Sequence, residues 1–135
     1  MFFFLSTVIA YANSIERIRI GGSSMITDTT LVPMGNIEIG MPNVDIGIKS
    51  VGWATGFYGH YNVYEFPNTD IRIIGGVIRF AYAPLLFDRD WDYQSGLYLG
   101  TAYHMKHVTI RTTAGALFDN RILPIISMEC LFHIR

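Results

Sequence analysis

Apolar and polar residues alternate with period two along most of the chain, in segments of about ten residues divided by turn-forming residues. The last segment is the clearest. From Ile126 onward, Ile126, Met128, Cys130, Phe132 and Ile134 fall on one face. Ser127, Glu129, Leu131, His133 and Arg135 fall on the other. Side chains of a strand project alternately to its two faces, so this pattern predicts a β-strand with one apolar and one mostly polar face.

Seven earlier segments repeat the theme. Ile15–Ile26 sets Ile18, Ile20 and Ile26 against Arg17, Arg19 and Ser23. Leu31–Met41 sets Ile37, Ile39 and Met41 against Asn36, Glu38 and Gly40, and Pro42-Asn43 then marks a tight turn. Val44, Ile46 and Ile48 oppose Asp45, Gly47 and Lys49, with a break at Ser50–Gly52. Phe57, Tyr61 and Val63 oppose Tyr58, His60, Asn62 and Tyr64. Glu65 then breaks the apolar parity, as suits a water-facing end.

The fifth segment, Ile71–Ala83, has Ile74, Ile78, Phe80 and Tyr82 on one face and Ile73, Gly75, Val77, Arg79 and Ala81 on the other. A loop over Pro84–Ser95 precedes the sixth, where Leu97, Leu99, Tyr103 and Met105 oppose Tyr98, Gly100, Ala102, His104 and Lys106. In the seventh, Val108, Ile110, Ala114, Ala116 and Phe118 oppose Thr109, Arg111, Thr113 and Gly115. No segment carries a sustained 3.6-residue stripe with caps.

Eight antiparallel strands with alternately short and longer connections predict an all-β, up-and-down barrel. Which face looks inward follows from charge. In a soluble barrel the outer face is richly charged. Here only 16% of 135 residues are charged, against about 25% in typical soluble domains. The apolar parity is almost free of charge, and the polar parity mixes small residues with single charges of both signs. An eight-stranded barrel has an interior that side chains just fill. The expectation is a transmembrane barrel whose apolar parity meets lipid. Its lumen would hold a polar network of Arg17, Arg19, Glu38, Asp45, Lys49, His60, Arg79, Arg111, Glu129 and His133, because charges shut from water must pair. Tyr82, Tyr103, Phe118 and Phe132 would form aromatic girdles.

The N-terminal run Phe2–Tyr11 is too short to span a bilayer and ends in Ala10-Tyr11-Ala12, an A-x-A pattern followed by the polar Asn13-Ser14. It reads as a secretory signal peptide, residues 1–12, leaving a single domain over 13–135. Net charge −1 offers nothing for nucleic acid. The single Cys130 excludes an internal disulfide.

Candidate chemistry is sparse. Asp88-Arg89-Asp90-Trp91-Asp92 opens like a calcium loop, but Tyr93 stands where glycine is needed and Leu99 where glutamate is needed. It reads instead as a solvated loop whose Asp88, Asp90, Trp91, Asp92 and Tyr93 are available for surface contacts. His104 and His107 straddle a turn and do not converge on a metal. Ser127 and His133 lie about 20 Å apart along one strand, so Ser127, Glu129 and His133 form no triad. No metal site, cofactor or catalytic residue is expected.

The export signal, the even strand count, the alternation and the terminal strand together resemble the small eight-stranded outer-membrane barrels of the OmpA/OmpX type, over residues 15–135. Members commonly end on a terminal aromatic, whereas here Phe132 precedes His133-Ile134-Arg135. The resemblance implies the bacterial outer membrane. The partners it implies are outer-membrane lipid and lipopolysaccharide, the outer-membrane assembly machinery, and a cell-surface partner met through loops. It implies a structural or adhesin-like, non-catalytic role. Two alternatives stand beside it. One is a lipid A-modifying acyl hydrolase or acyltransferase on the same scaffold, although the His-x-Ser pair of one deacylase type is absent. The other is a soluble periplasmic, lipocalin-like barrel with an apolar ligand inside.

Overall fold

A computed structural model describes residues 15–27, 30–52, 54–82, 92–118 and 122–134. Among these, eight strands form one closed antiparallel barrel in sequence order. They are β1 (Arg17–Thr27), β2 (Thr30–Gly40), β3 (Val44–Ser50), β4 (Ala54–Glu65), β5 (Ile71–Tyr82), β6 (Asp92–His104), β7 (Val108–Phe118) and β8 (Ile122–His133). The signal-peptide segment, Asp88–Trp91 and Arg135 lie outside the described residues.

β8 closes the barrel on β1, from Arg19 opposite His133 to Thr27 opposite Ile125. The register can be followed once around, from Arg17 through Gly40, Asp45, His60, Gly76, Tyr98, Gly115 and Ile125. It returns to β1 at Thr27, ten residues beyond its start. Eight strands with that shear tilt by roughly 40° from the axis. An 11-residue strand such as β1 then rises about 28 Å, close to the thickness of a bilayer's hydrocarbon.

The two ends differ. The end near Arg17 and His133, here the termini end, carries the tight turns. Met41 N–H donates to Val44 O (2.8 Å) around Pro42-Asn43, and Met105 N–H donates to Val108 O (2.8 Å). The β4–β5 turn places Asn68 at φ 59°, which asparagine tolerates better than most residues. The Thr69 hydroxyl caps that turn on Phe66 O at 2.9 Å. Val63 is the extra residue of a bulge between Asn62 and Tyr64. Beyond it Glu65 is exposed and pairs loosely with Arg72 at 3.5 Å. Three connections at the opposite, far end are also short, spanning 28–29, 51–53 and 119–121, and Gly52 turns at φ 70°. The fourth, 83–91, is the longest. β6 reaches back to Asp92, so Tyr93, Gln94 and Ser95 are paired with Ala81, Phe80 and Arg79 instead of belonging to a loop.

Burial alternates as the sequence implies in every strand but β5 and the end of β4, where the bulge leaves Tyr64, expected inside, exposed. In β8, Ile126, Met128, Cys130 and Phe132 are exposed, while Ser127, Glu129 and Leu131 are buried. Ile37 (60% exposed), Leu99 (64%) and Met128 (60%) mark an apolar outer surface. Met41, expected outside, is buried in its turn.

In β5 the expected faces are exchanged. Ile74, Ile78 and Phe80 are buried, and Val77 and Arg79 face outward. Both parities of this strand are apolar with one arginine each, so charge alone does not choose between them. Cross-strand space does. Phe80 lies over Gly56 on β4, where a Cβ would sit 2.6 Å from its ring. The far half of the interior is accordingly hydrocarbon, built from Met25, Met34, Ile78, Phe80, Leu117 and Ile125.

Candidate functional site: a charge-balanced lumen

The termini half of the interior is polar, and every strand except β5 contributes to it. Its hub is Arg111 of β7, fully buried. Its guanidinium grips both oxygens of Glu38 on β2: Nη1 donates to Oε1 at 3.1 Å, and Nη2 donates to Oε2. Nη2 also donates to Glu129 Oε2 at 2.7 Å. A planar fork suits such bidentate pairing, and ionised partners strengthen each bond. Arg19 Nη1 adds a bond of 2.6 Å to Glu38 Oε1 and lies 3.4 Å from Asp45. Lys49 Nζ meets Glu129 Oε1 at 3.3 Å and lies 4.8 Å from the centre of the Tyr58 ring.

Neutral groups fill the remaining positions. The Tyr58 hydroxyl donates to Glu38 Oε2 at 2.7 Å. Asn36 Nδ2 donates to Glu129 Oε2 at 3.1 Å, and the Ser23 hydroxyl donates to Asn36 Oδ1 at 2.9 Å. His60 lies with Nε2 3.0 Å from Asp45 Oδ2 and Nδ1 2.9 Å from the Tyr98 hydroxyl. Arg111 Nη1 also lies 2.9 Å from Nε2. Nε2 serves one partner at a time: carrying a proton it donates to Asp45, and without one it accepts from Arg111 Nη1.

Arg19, Lys49 and Arg111 balance Glu38, Asp45 and Glu129, three charges against three, all buried. Burial of one sign alone would be prohibitive, and a matched, mostly hydrogen-bonded set is tolerable, with Arg19 Nε, Arg111 Nε and Asp45 Oδ1 left without a hydrogen-bond partner. Glu38, Asp45 and His60 bring ligand atoms within 4.8 Å of one another. The space between them already holds the guanidinium groups of Arg19 and Arg111, which supply the positive charge an ion would bring. The guanidinium groups thus stand where an ion would at this cluster.

Among the residues expected in the lumen, Arg19, Glu38, Asp45, Lys49, His60, Arg111 and Glu129 meet in this one network. Arg17 stands at its rim, with Nη2 donating to Met41 O at 2.8 Å and lying 3.6 Å from Asp45. His133 belongs to a separate chain at the termini end. Its Nε2 is 2.6 Å from the Thr109 hydroxyl, which lies 2.9 Å from His104 Nδ1. Arg79 is not in the lumen. It lies outside, with its guanidinium carbon 4.9 Å from the centre of the exposed Tyr93 ring, because bulky Ile78 and Phe80 take the interior of β5. Ser23, Asn36, Tyr58, Tyr98, Thr109, Thr113 and Ser127 are the other polar residues buried in the interior among the described residues. Their parity was the signal that could have found them. Tyr103, Phe118 and Phe132 are exposed on the outer face; the side chain of Tyr82 falls outside the described residues.

No family model matches the chain, and no curated relative matches it by sequence. Solved structures do resemble it. The N-terminal β-barrel domain of Pseudomonas aeruginosa OprF aligns with a TM-score of 0.58 at 10% identity, over 87% of this chain and 97% of that one. Ail, the attachment invasion locus protein of Yersinia pestis, in complex with the heparin analogue sucrose octasulfate, aligns with a TM-score of 0.42 at 11% identity, over 87% of this chain and 96% of that one. The chain thus has the fold of the small eight-stranded outer-membrane barrels, with an interior closed by ion pairs at one end and hydrocarbon at the other.

Proposed function

We propose that the protein is an outer-membrane barrel with a structural or surface-interaction role and no catalytic one. The observation that carries this reading is the inversion of polarity. Three matched pairs of charges lie inside, while Ile37, Ile46, Leu97, Leu99 and Met128 stand exposed outside. Water would favour the reverse arrangement, whereas lipid favours this one and requires a closed sheet. Surface interaction would fall to residues 83–91, because the other connections at the far end span two or three residues.

The two alternatives fit the geometry less well. A lipocalin-like carrier needs interior space, and here Phe80, Leu117 and Ile125 fill the far half. A lipid-modifying enzyme needs its base at the lipid face, and His60, His104 and His133 all point inward to lumen partners. The test is membrane fractionation combined with heat-modifiable migration in detergent gels. A band that migrates differently unheated and heated, from the membrane fraction, is expected. A soluble monomer recovered without detergent would overturn the reading.

A further inference from the structure

Apart from Glu65 at the exposed end of β4, Arg79 is the one exposed charged residue among the described residues of the eight strands. It is three residues from the end of β5, between Phe57 of β4 and Ser95 of β6. With the strand rise and tilt of this barrel, its Cα lies about 8 Å below the far rim. An arginine stem reaches the interface from that depth by snorkelling, with its methylenes kept in hydrocarbon. The Tyr93 ring, 4.9 Å from the guanidinium carbon, steers the head group toward the rim. No carboxylate among the described residues pairs with it.

Beneath Arg79 the outer wall is not smooth. Phe57, Val77, Leu97 and Phe118 border a groove of about 570 Å³ that is apolar except at Arg79 and Ser95. Its floor opens where Gly59 and Ser95 leave the wall low between larger neighbours. A cation placed directly above an acyl-width groove complements a molecule with an anionic head and a hydrocarbon tail. Guanidinium matches phosphate oxygens in a planar, bidentate manner.

We infer that Arg79 and the groove under it form a binding site for one net-anionic phospholipid of the leaflet at the far end, with its phosphate on the guanidinium and an acyl chain between Phe57 and Leu97. This rests on the membrane placement proposed above. Heat-modifiable migration reports the barrel itself, so failure of either reading is seen separately.

The experiment is native mass spectrometry of the refolded protein released from micelles containing equal dimyristoyl phosphatidylglycerol and phosphatidylcholine. One juxtamembrane cation near anionic lipid corresponds to about a fivefold preference. The protein should retain one phosphatidylglycerol with that enrichment, R79K should keep part of it, and R79Q should show none. S95W, which fills the groove and leaves Arg79 intact, should also lose the retained lipid, and it serves if R79Q fails to fold. An unchanged preference in R79Q or S95W overturns the proposal. So does loss of the preference on adding inorganic phosphate, which would mark a free-anion site.

Discussion

Arg111 of β7 and Glu38 of β2 meet across the lumen through both terminal guanidinium nitrogens and both carboxylate oxygens, although their strands share no edge. The contact spans the barrel, so it ties together walls that backbone pairing leaves independent. Arg19 and Tyr58 converge on the same carboxylate, and Glu129 on the same guanidinium.

Removing one partner strands the others. R111M leaves Glu38 and Glu129 buried with too little positive charge. Breaking a buried pair from one side typically costs about 3–5 kcal/mol. The urea midpoint of the refolded barrel in detergent should fall accordingly. R111M/E38Q restores the charge balance and should recover part of the loss, giving a coupling energy of about 1–3 kcal/mol in a double-mutant cycle. Strictly additive single effects would show that the pair does not act as a unit.

Gly47 makes room for the Tyr58 ring, because a Cβ at this position would overlap it. The ring must hold its place for its hydroxyl to reach Glu38 at 2.7 Å. G47A should therefore destabilise by about 1–3 kcal/mol, the usual cost of overpacking. The cost should shrink in a Y58L background, where the obstructing ring is gone. An equal cost in both backgrounds, measured by chemical unfolding, would place the strain elsewhere.

Most of the architecture is legible in the alternation. Strong apolar–polar contrast marks both faces of β2, β3 and β8, where residues such as Ile37 and Glu38 leave no choice of face. The interior network follows from the need of Glu38, Asp45 and Glu129 for cations. β5 is different. Arg72 on one parity and Arg79 on the other cancel as signals, and the outcome depends on which neighbours leave space. That information lies in Gly56 of β4 and in the register that sets it beside Phe80. A single strand's sequence does not contain that pairing. The rule that charges go inside also weakens near a rim, where a long side chain reaches the interface from the outer face.

The exchange of faces in β5 can be read by labelling. In a C130S background, cysteine at Val77 should react with a bilayer-partitioned maleimide, and cysteine at Ile78 should be protected until the barrel is unfolded. Val77 is 57% exposed and Ile78 4%. Reaction at 78 with protection at 77 would reverse the assignment and place Arg79 in the lumen.

Thr109 links two strand-end histidines and is fully buried. Its hydroxyl stands 2.9 Å from His104 Nδ1 and 2.6 Å from His133 Nε2, so it satisfies one ring on β6 and one on β8 from β7 between them. T109V keeps the shape and removes both hydrogen bonds, leaving two ring nitrogens short of a partner. A buried polar group left unsatisfied costs about 1–3 kcal/mol. T109S keeps the hydroxyl and loses a methyl group, so it should be the milder change. Comparing the unfolding midpoints of T109V and T109S separates the hydroxyl from the packing. If T109S is as destabilising as T109V, the methyl group matters more than the bonds, and the His104–Thr109–His133 chain is not what holds the termini end together.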